Sequence, residues 1–355
     1  MITVVGAGPA GLALAYYLQK KGLTFQVLEK GEIAESWATY YDHLRLHTRK
    51  ANVALPGLRL SASADAFPTR AQYLSYLRQY ADHFAFPVQT GVNVLEATYR
   101  DGWILRTSRG CFETDTLVMA TGIFNCPVVP RLPGQAQFQG EVHLAQAYRR
   151  PDPYSGRRVL VVGAGNTGVG VALELAEAGV EVGIVIRDGI QLVPAPKTAL
   201  GTRLEAYLLK RLPAGMANRL LSFVRRDDAG VGLPRPSRAP RDVTPVVGLD
   251  LVEAVKRGAV KVHPAVQALS DNGVRFGDGS EASYDVLLLA AGYQPSLDAL
   301  PFPLTLDDKG RFVQSPPKLH SIGFFYPTME PFLVAVKREA AELANQLVAE
   351  GRQSV

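Results

Sequence analysis

Six residues occur twice in this chain in nearly the same form, as Gly-Ala-Gly-Pro-Ala-Gly at Gly6–Gly11 and Gly-Ala-Gly-Asn-Thr-Gly at Gly163–Gly168. Each copy follows a short apolar run, Ile2–Val5 or Val159–Val162, and opens an apolar helical pattern. In a strand–turn–helix unit the first glycine permits the tight turn. The second lets the backbone approach a pyrophosphate, and the third lets helix and strand pack closely. The helix N-terminus then presents free N–H groups and a positive dipole end to phosphate. Gly6, Gly8 and Gly11, with Pro9 and Ala10 between them, are therefore candidate nucleotide-binding residues. So are Gly163, Gly165 and Gly168, with Asn166 and Thr167.

A second repeat is independent of the glycines. Asp115–Gly122 (Asp-Thr-Leu-Val-Met-Ala-Thr-Gly) is echoed by Asp285–Gly292 (Asp-Val-Leu-Leu-Leu-Ala-Ala-Gly). Each half thus begins with a dinucleotide turn and ends with an apolar strand entering a small-residue loop. The fold class that follows is α/β, with two Rossmann-like dinucleotide-binding domains, the second inserted into the first. The expected division is residues 1–150 plus 293–355 for the first domain and 151–292 for the second, with Pro-rich crossings at Cys126–Gly134 and Pro151–Gly156.

The first half reads as strand Ile2–Val5, a helix to about Lys20, strand Phe25–Leu28 and a helix from about Arg70 to Phe84. Strand-like runs follow at Val88–Ala97, Trp103–Thr107 and Thr116–Ala120. The second half reads as strand Val159–Val162, helix Asn166–Ala178 and strand Val180–Ile186. An insertion at about residues 198–244 holds a helical portion, Thr202–Leu212, stopped by Pro213, and then a Pro-rich loop. A closing helix of about Pro331 to Ala349 is expected to pack back onto the first half.

Composition removes several function classes. No apolar stretch approaches the roughly 18 residues of a membrane span, and the strand at Ile2 leaves no room for a signal peptide. The net charge of +5 comes from dispersed Lys and Arg without an aromatic-basic module, which argues against nucleic acid as partner. Cys111 and Cys126 are the only cysteines, too few and wrongly spaced for a zinc cage or a CxxC redox pair. We read a cytoplasmic protein with no metal centre.

The residue closing the next strand tells the two nucleotides apart. In the first copy it is Glu29, followed by Lys30; a carboxylate there accepts hydrogen bonds from ribose hydroxyls and suits the adenosine of FAD. In the second copy it is Arg187, whose guanidinium suits a 2′-phosphate and hence NADPH. Asp188 beside it disfavours that phosphate, so NADH stays open, and a solvated surface arginine is the plain alternative for Arg187.

Further motifs carry a resemblance. Ser36-Trp37 precedes Tyr41-Asp42-His43-Leu44-Arg45-Leu46-His47-Thr48, and Phe67-Pro68-Thr69-Arg70 starts the next helix. Ala120-Thr121-Gly122, Gly232–Pro236 (Gly-Leu-Pro-Arg-Pro), Gly258–Val262 and Ala291-Gly292-Tyr293 complete the set. Together they make the chain resemble, nearly end to end, the class B flavin-dependent monooxygenases. Within these it is most similar to the bacterial CzcO-like flavoproteins and the plant indole-3-pyruvate monooxygenases. The resemblance implies that Trp37, Leu46, His47 and Thr48 lie along the flavin, with Ala120, Thr121, Gly122, Ala291 and Gly292 in the cofactor-binding loops. Core packing is the alternative for Trp37 and Leu46, and a satisfied structural histidine for His47. The family's linker motif departs here: Phe138, Gly140 and Tyr148 are in place, but Leu144 stands at the histidine position and His143 comes one residue early. On a loop His143 reaches the same place; on a strand it faces the other way.

The activity the resemblance implies is insertion of one oxygen of O2 into a small organic substrate, driven by NADPH through a flavin hydroperoxide. The products would be N- or S-oxides or an oxidised carbonyl. Thr48, Asn125 and His143 are the weak catalytic candidates. An NAD(P)H oxidase or flavin-dependent reductase is the alternative. Partners would be the substrate and O2, with a homodimer left open.

Overall fold

The structure is a computed structural model describing residues 1–195, 211–224, 231–239, 242–271, 273–325 and 330–353. The chain divides into two compact units. One comprises Met1–Thr39, Thr48–Cys126 and Tyr293–Val355, the other Tyr40–His47 and Pro127–Gly292.

In the first unit, five parallel strands lie in the order Leu319–Ser321, Thr116–Met119, Ile2–Val5, Phe25–Leu28, Val88–Gln89. The central strand, Ile2–Val5, and its neighbour Thr116–Met119 are buried at every position. Unbroken apolar runs of this kind belong to strands covered on both faces. The helix Pro9–Lys20 buries Leu12, Leu14 and Leu18, and the closing helix Phe332–Gln353 packs against it. The helix Arg70–Phe84 starts at a capping box: Gln72 N donates to Thr69 Oγ1 at 3.2 Å, and Thr69 N donates to Gln72 Oε1 at 3.0 Å. Its buried face holds Tyr73, Tyr76 and Tyr80 with Leu77 and Ala81, and the Tyr76 and Tyr80 hydroxyls donate to Leu58 O at 2.9 Å and Pro56 O at 2.6 Å. Those bonds satisfy loop carbonyls that would otherwise be orphaned. A three-stranded antiparallel sheet, Val94–Tyr99, Trp103–Thr107 and Gly110–Thr114, adds the buried Trp103, whose indole N–H donates to Pro317 O at 3.2 Å.

The second unit repeats the plan. Its parallel sheet runs Val260–His263, Glu181–Val185, Arg158–Val162, Val286–Leu289, Glu141–Leu144. Three antiparallel strands, Val266–Leu269, Gly273–Phe276 and Glu281–Ser283, form its second sheet. The stretch Tyr40–His47 is built onto this unit's nucleotide helix, Asn166–Glu177. Tyr41 OH lies 2.5 Å from where a side chain on Gly170 would begin, and His43 Nδ1 pairs with Glu174 Oε1 at 2.7 Å.

Several sequence expectations meet different geometry. The sequence groups residues 127–150 with the first domain; they lie in the second unit, because Glu141–Leu144 hydrogen-bonds to Val286–Leu289. The run expected as one strand at Val88–Ala97 splits into Val88–Gln89 and Val94–Tyr99 around Gly91, whose φ is +66°. The expected helix Thr202–Leu212 falls almost wholly outside the described residues. Past Pro213 a further helix, Ala214–Val224, stands where the sequence predicts none.

Candidate functional site

The three glycines of each fingerprint are explained by three different surroundings. Gly6 has φ +112°, and a Cβ there would come within 2.5 Å of the Ala120 carbonyl oxygen. Ala120 N in turn donates to Val5 O at 2.8 Å, so the Ala120–Gly122 loop seats directly on the first turn. A Cβ on Gly11 would collide with the Gly6 carbonyl oxygen. The second unit reproduces both relations. Gly163 has φ +120° and faces the Ala290 carbonyl, Ala290 N donates to Val162 O at 2.8 Å, and Gly168 abuts the Gly163 carbonyl.

Gly8 and Gly165 are different. Their φ values, −81° and −77°, suit any residue, and a Cβ on either would meet no atom of the described residues within 4 Å. Neither backbone conformation nor packing within the protein demands glycine at these positions. Both are helix N-caps, and neither helix has a side-chain cap over its first turn. Open space at the positive end of a helix, whose first-turn N–H groups lack intrahelical partners, fits an anionic pyrophosphate.

Glu29 stands at the end of the second strand, its Oε2 accepting from Ala7 N at 2.7 Å and its Oε1 from Gly31 N at 3.2 Å. The carboxylate is thereby locked beside the glycine turn with lone pairs to spare for hydroxyl donors. Lys30 next to it is exposed. Trp37 is half-buried, edge-on to Tyr73 at 4.7 Å, and Thr48 is half-buried. Beyond Ala120, Thr121 Oγ1 donates to Ser296 O at 3.0 Å, the Asn125 amide donates to the Thr121 carbonyl, and Gly122 has φ +78°.

In the second unit Arg187 is exposed, and its Nε lies 2.8 Å from Asp188 Oδ2. Asn166 opens the nucleotide helix, and its side chain is engaged on both sides: Nδ2 donates to Pro245 O at 3.2 Å, and Oδ1 accepts from Val247 N at 3.1 Å. The Asn166 amide thus works as a clasp on residues 245–247. Periodicity gives no signal for that contact, because it joins segments far apart in sequence. Thr167 is half-buried; Ala291 and Gly292 are exposed, with Gly292 at φ +99°.

Leu46 is buried and His47 exposed, and both belong to the second unit. His143 is on a strand and faces away from Leu144. Its Nε2 pairs with Glu141 Oε2 at 2.8 Å, while Leu144 packs into the apolar cluster around Leu160 and Phe276. Arg157, donating to Glu141, and His143 together hold the Glu141 carboxyl down at about 2.

The chain is similar to known proteins. The family profile of the pyridine nucleotide-disulphide oxidoreductases matches residues 3–230. Indole-3-pyruvate monooxygenase YUCCA4 of Oryza sativa subsp. japonica is 36% identical over 325 residues, covering 83% of this chain and 74% of the relative. Indole-3-pyruvate monooxygenase YUCCA6 of Arabidopsis thaliana is 33% identical, covering 83% and 76%. Among solved structures, a double mutant of the flavin monooxygenase from Stenotrophomonas maltophilia superposes with a TM-score of 0.79 at 22% identity, covering 98% of each chain, which speaks to the fold. No helix among the described residues is long and apolar enough to cross a membrane. The chain belongs to the pyridine nucleotide-disulphide oxidoreductase family and, within it, to the class B flavin-dependent monooxygenases, which work with FAD and NADPH on small substrates and O2.

Proposed function

We propose that the first unit holds FAD and the second NADPH, and that the protein transfers one oxygen of O2 to a small organic substrate. The observation carrying this reading is the open space in front of Gly8 and Gly165, in two cradles of the same build. In the first, Gly8 and the start of the Pro9–Lys20 helix take the pyrophosphate, and Glu29 orients the adenosine ribose. In the second, Gly165 and the start of the Asn166–Glu177 helix take the pyrophosphate, and Arg187 meets the 2′-phosphate. Bound FAD would supply the hydride-accepting and oxygen-activating chemistry, while Gly8, Glu29, Gly165 and Arg187 would hold and orient the two nucleotides.

Indole-3-pyruvate is the first substrate to test, because the relatives sharing about a third of the residues carry it in their names. Amines and sulfides complete the panel. The protein should purify yellow, be bleached by NADPH and form about one oxygenated product per NADPH consumed with an accepted substrate. NADPH consumption matched by peroxide release with every substrate would overturn the reading in favour of an NAD(P)H oxidase. A cytoplasmic setting agrees with two free cysteines, Cys111 exposed and Cys126 half-buried. Light scattering decides between a monomer and a homodimer.

A further inference from the structure

The turn that follows the edge strand Leu319–Ser321 is seated against the start of the Pro9–Lys20 helix. Ile322 N donates to Met119 O at 3.0 Å, which continues the pairing with the sheet. Gly323 then turns with φ +75°, and a Cβ on it would come within 2.8 Å of the Ala10 Cβ. Ala10 is the second residue of the helix that Gly8 caps. Whatever holds Gly323 therefore bears on the first turn of the first cradle.

Glu339, on the closing helix, holds it. Its Oε2 accepts from Gly323 N at 3.1 Å. Its Oε1 is buried and has no hydrogen-bond partner among the described residues. Nor does a described cation pair with the carboxyl. On the same helix Arg338 pairs with Glu330 at 2.8 Å, and Glu342 is taken by Arg311 of the neighbouring hairpin at 3.3 Å. Lys337 donates to Asn52 O and Ala54 O, and Lys50, on the short helix packed beneath, donates to Ala62 O and Ala64 O. His320 of the edge strand meets Glu350. Residues 9–15 of the nucleotide helix carry no ionisable side chain. A carboxyl so placed favours its neutral form, because burial penalises the charge and one amide offsets little of that. With Oε2 accepting from Gly323, the acid proton belongs on Oε1.

That proton bears on the ligand. The pyrophosphate of FAD carries two negative charges throughout the neutral range. A carboxylate behind the Gly323 turn would repel it through an interior that screens poorly, whereas a neutral acid would not.

We infer that Glu339 is a positioning residue of the FAD cradle, that it holds the Gly323 turn as the neutral acid, and that FAD binding draws a proton from solvent onto Oε1. The inference rests on the assignment of FAD to the first unit. It goes further by linking occupancy of that cradle to one proton, so that rising pH loosens FAD.

The test is calorimetric titration of the full-length apoprotein with FAD in phosphate and in Tris, buffers that differ in heat of ionisation. Wild type should take up about half a proton per FAD near pH 7.5. Its FAD affinity should fall roughly five- to tenfold from pH 6 to pH 8.5, the span of a tenfold change in the affinity for the proton. Glu339→Gln keeps an acceptor for Gly323 N and carries no charge, so it should bind FAD without proton uptake and equally well at both pH values. Unchanged binding of 2′,5′-ADP, a fragment of the NADPH proposed for the other unit, shows that the variant is folded. If wild type binds FAD with no proton uptake, or Glu339→Gln keeps the uptake, the inference fails while the FAD assignment survives. If Glu342→Gln abolishes the uptake as fully as Glu339→Gln, the effect is a diffuse acidic field and the inference also fails. If wild type binds no FAD, the assignment falls and the inference with it.

Discussion

The carbonyl oxygen of Gly6 occupies the space that any side chain on Gly11 would need, and Gly163 stands in the same relation to Gly168. These pairs set how closely each nucleotide helix approaches its first strand. Gly11→Ala and Gly168→Ala must push the helix off the strand, and overpacking of this kind costs about 1–3 kcal/mol. Urea unfolding should show each variant destabilised by that order even with both nucleotides absent. A wild-type midpoint would contradict the assigned role.

Glu29 is fixed by two backbone amides, at 2.7 Å from Ala7 N and 3.2 Å from Gly31 N. Glu29→Ala leaves the Ala7 amide without its partner and, on the proposed assignment, removes the ribose acceptor. FAD affinity should fall by roughly 10- to 100-fold, read as lost absorbance near the flavin band and as weaker reconstitution of apoprotein. Affinity for 2′,5′-ADP should not move, since the site proposed for that ligand lies in the other unit.

Glu339, on the closing helix, accepts from Gly323 N at 3.1 Å, and burial pushes its carboxyl up to about 7 from 4.5. Glu342 adds to the rise, while the Gly323 amide, Arg311 and Arg338 oppose it. The folded state therefore holds a proton that the unfolded chain releases, between about pH 4.5 and pH 7. Its contribution to stability is complete below the lower value and is lost as pH rises through the upper one. With some solvent contact remaining, that loss is about 2 kcal/mol. Glu339→Gln mimics the protonated form, so it should match wild type at about pH 4, below the lower value, and be the more stable protein at pH 8. Equal thermal melts at both pH values would disprove the assignment.

Cys111 and Cys126 are both free, Cys111 on the strand Gly110–Thr114 and Cys126 beside Gln294, whose Nε2 lies 3.6 Å from its Sγ. The family's name includes disulphide chemistry, yet this chain has no CxxC pair. A Cys111→Ser, Cys126→Ser double variant should keep its rate of NADPH-dependent flavin reduction and its product yield. Loss of both with the flavin still bound would point to a dithiol relay.

The parts of the fold legible in the sequence are those fixed by local sterics. A glycine that must turn, or lie against a neighbouring carbonyl, leaves its mark within a six-residue window, and the apolar runs of buried parallel strands do the same. The Arg70–Phe84 helix is readable because Thr69 and Gln72 form its cap. What could not be read depends on distant pairings. His143 faces away from Leu144 because Glu141–Leu144 pairs with Val286–Leu289, and nothing near residue 143 announces that partner. The attachment of Tyr40–His47 to the second unit rests on Tyr41 filling the gap left by Gly170. The seating of the Arg235–Pro236 peptide against Gly189 is likewise invisible locally, since pattern alone reads Gly189 as an ordinary turn residue.

The central claim, one cofactor in each cradle, is tested most directly by placing a methyl group in each open space. A Cβ on Gly8 or Gly165 would meet no atom of the described residues within 4 Å, so both alanine variants should fold with wild-type stability. Titrating each with FAD and with NADP⁺, Gly8→Ala should lose FAD and still bind NADP⁺. Gly165→Ala should remain yellow and lose NADP⁺. Retention of both ligands by both variants, or loss of the same ligand from each, would contradict the account.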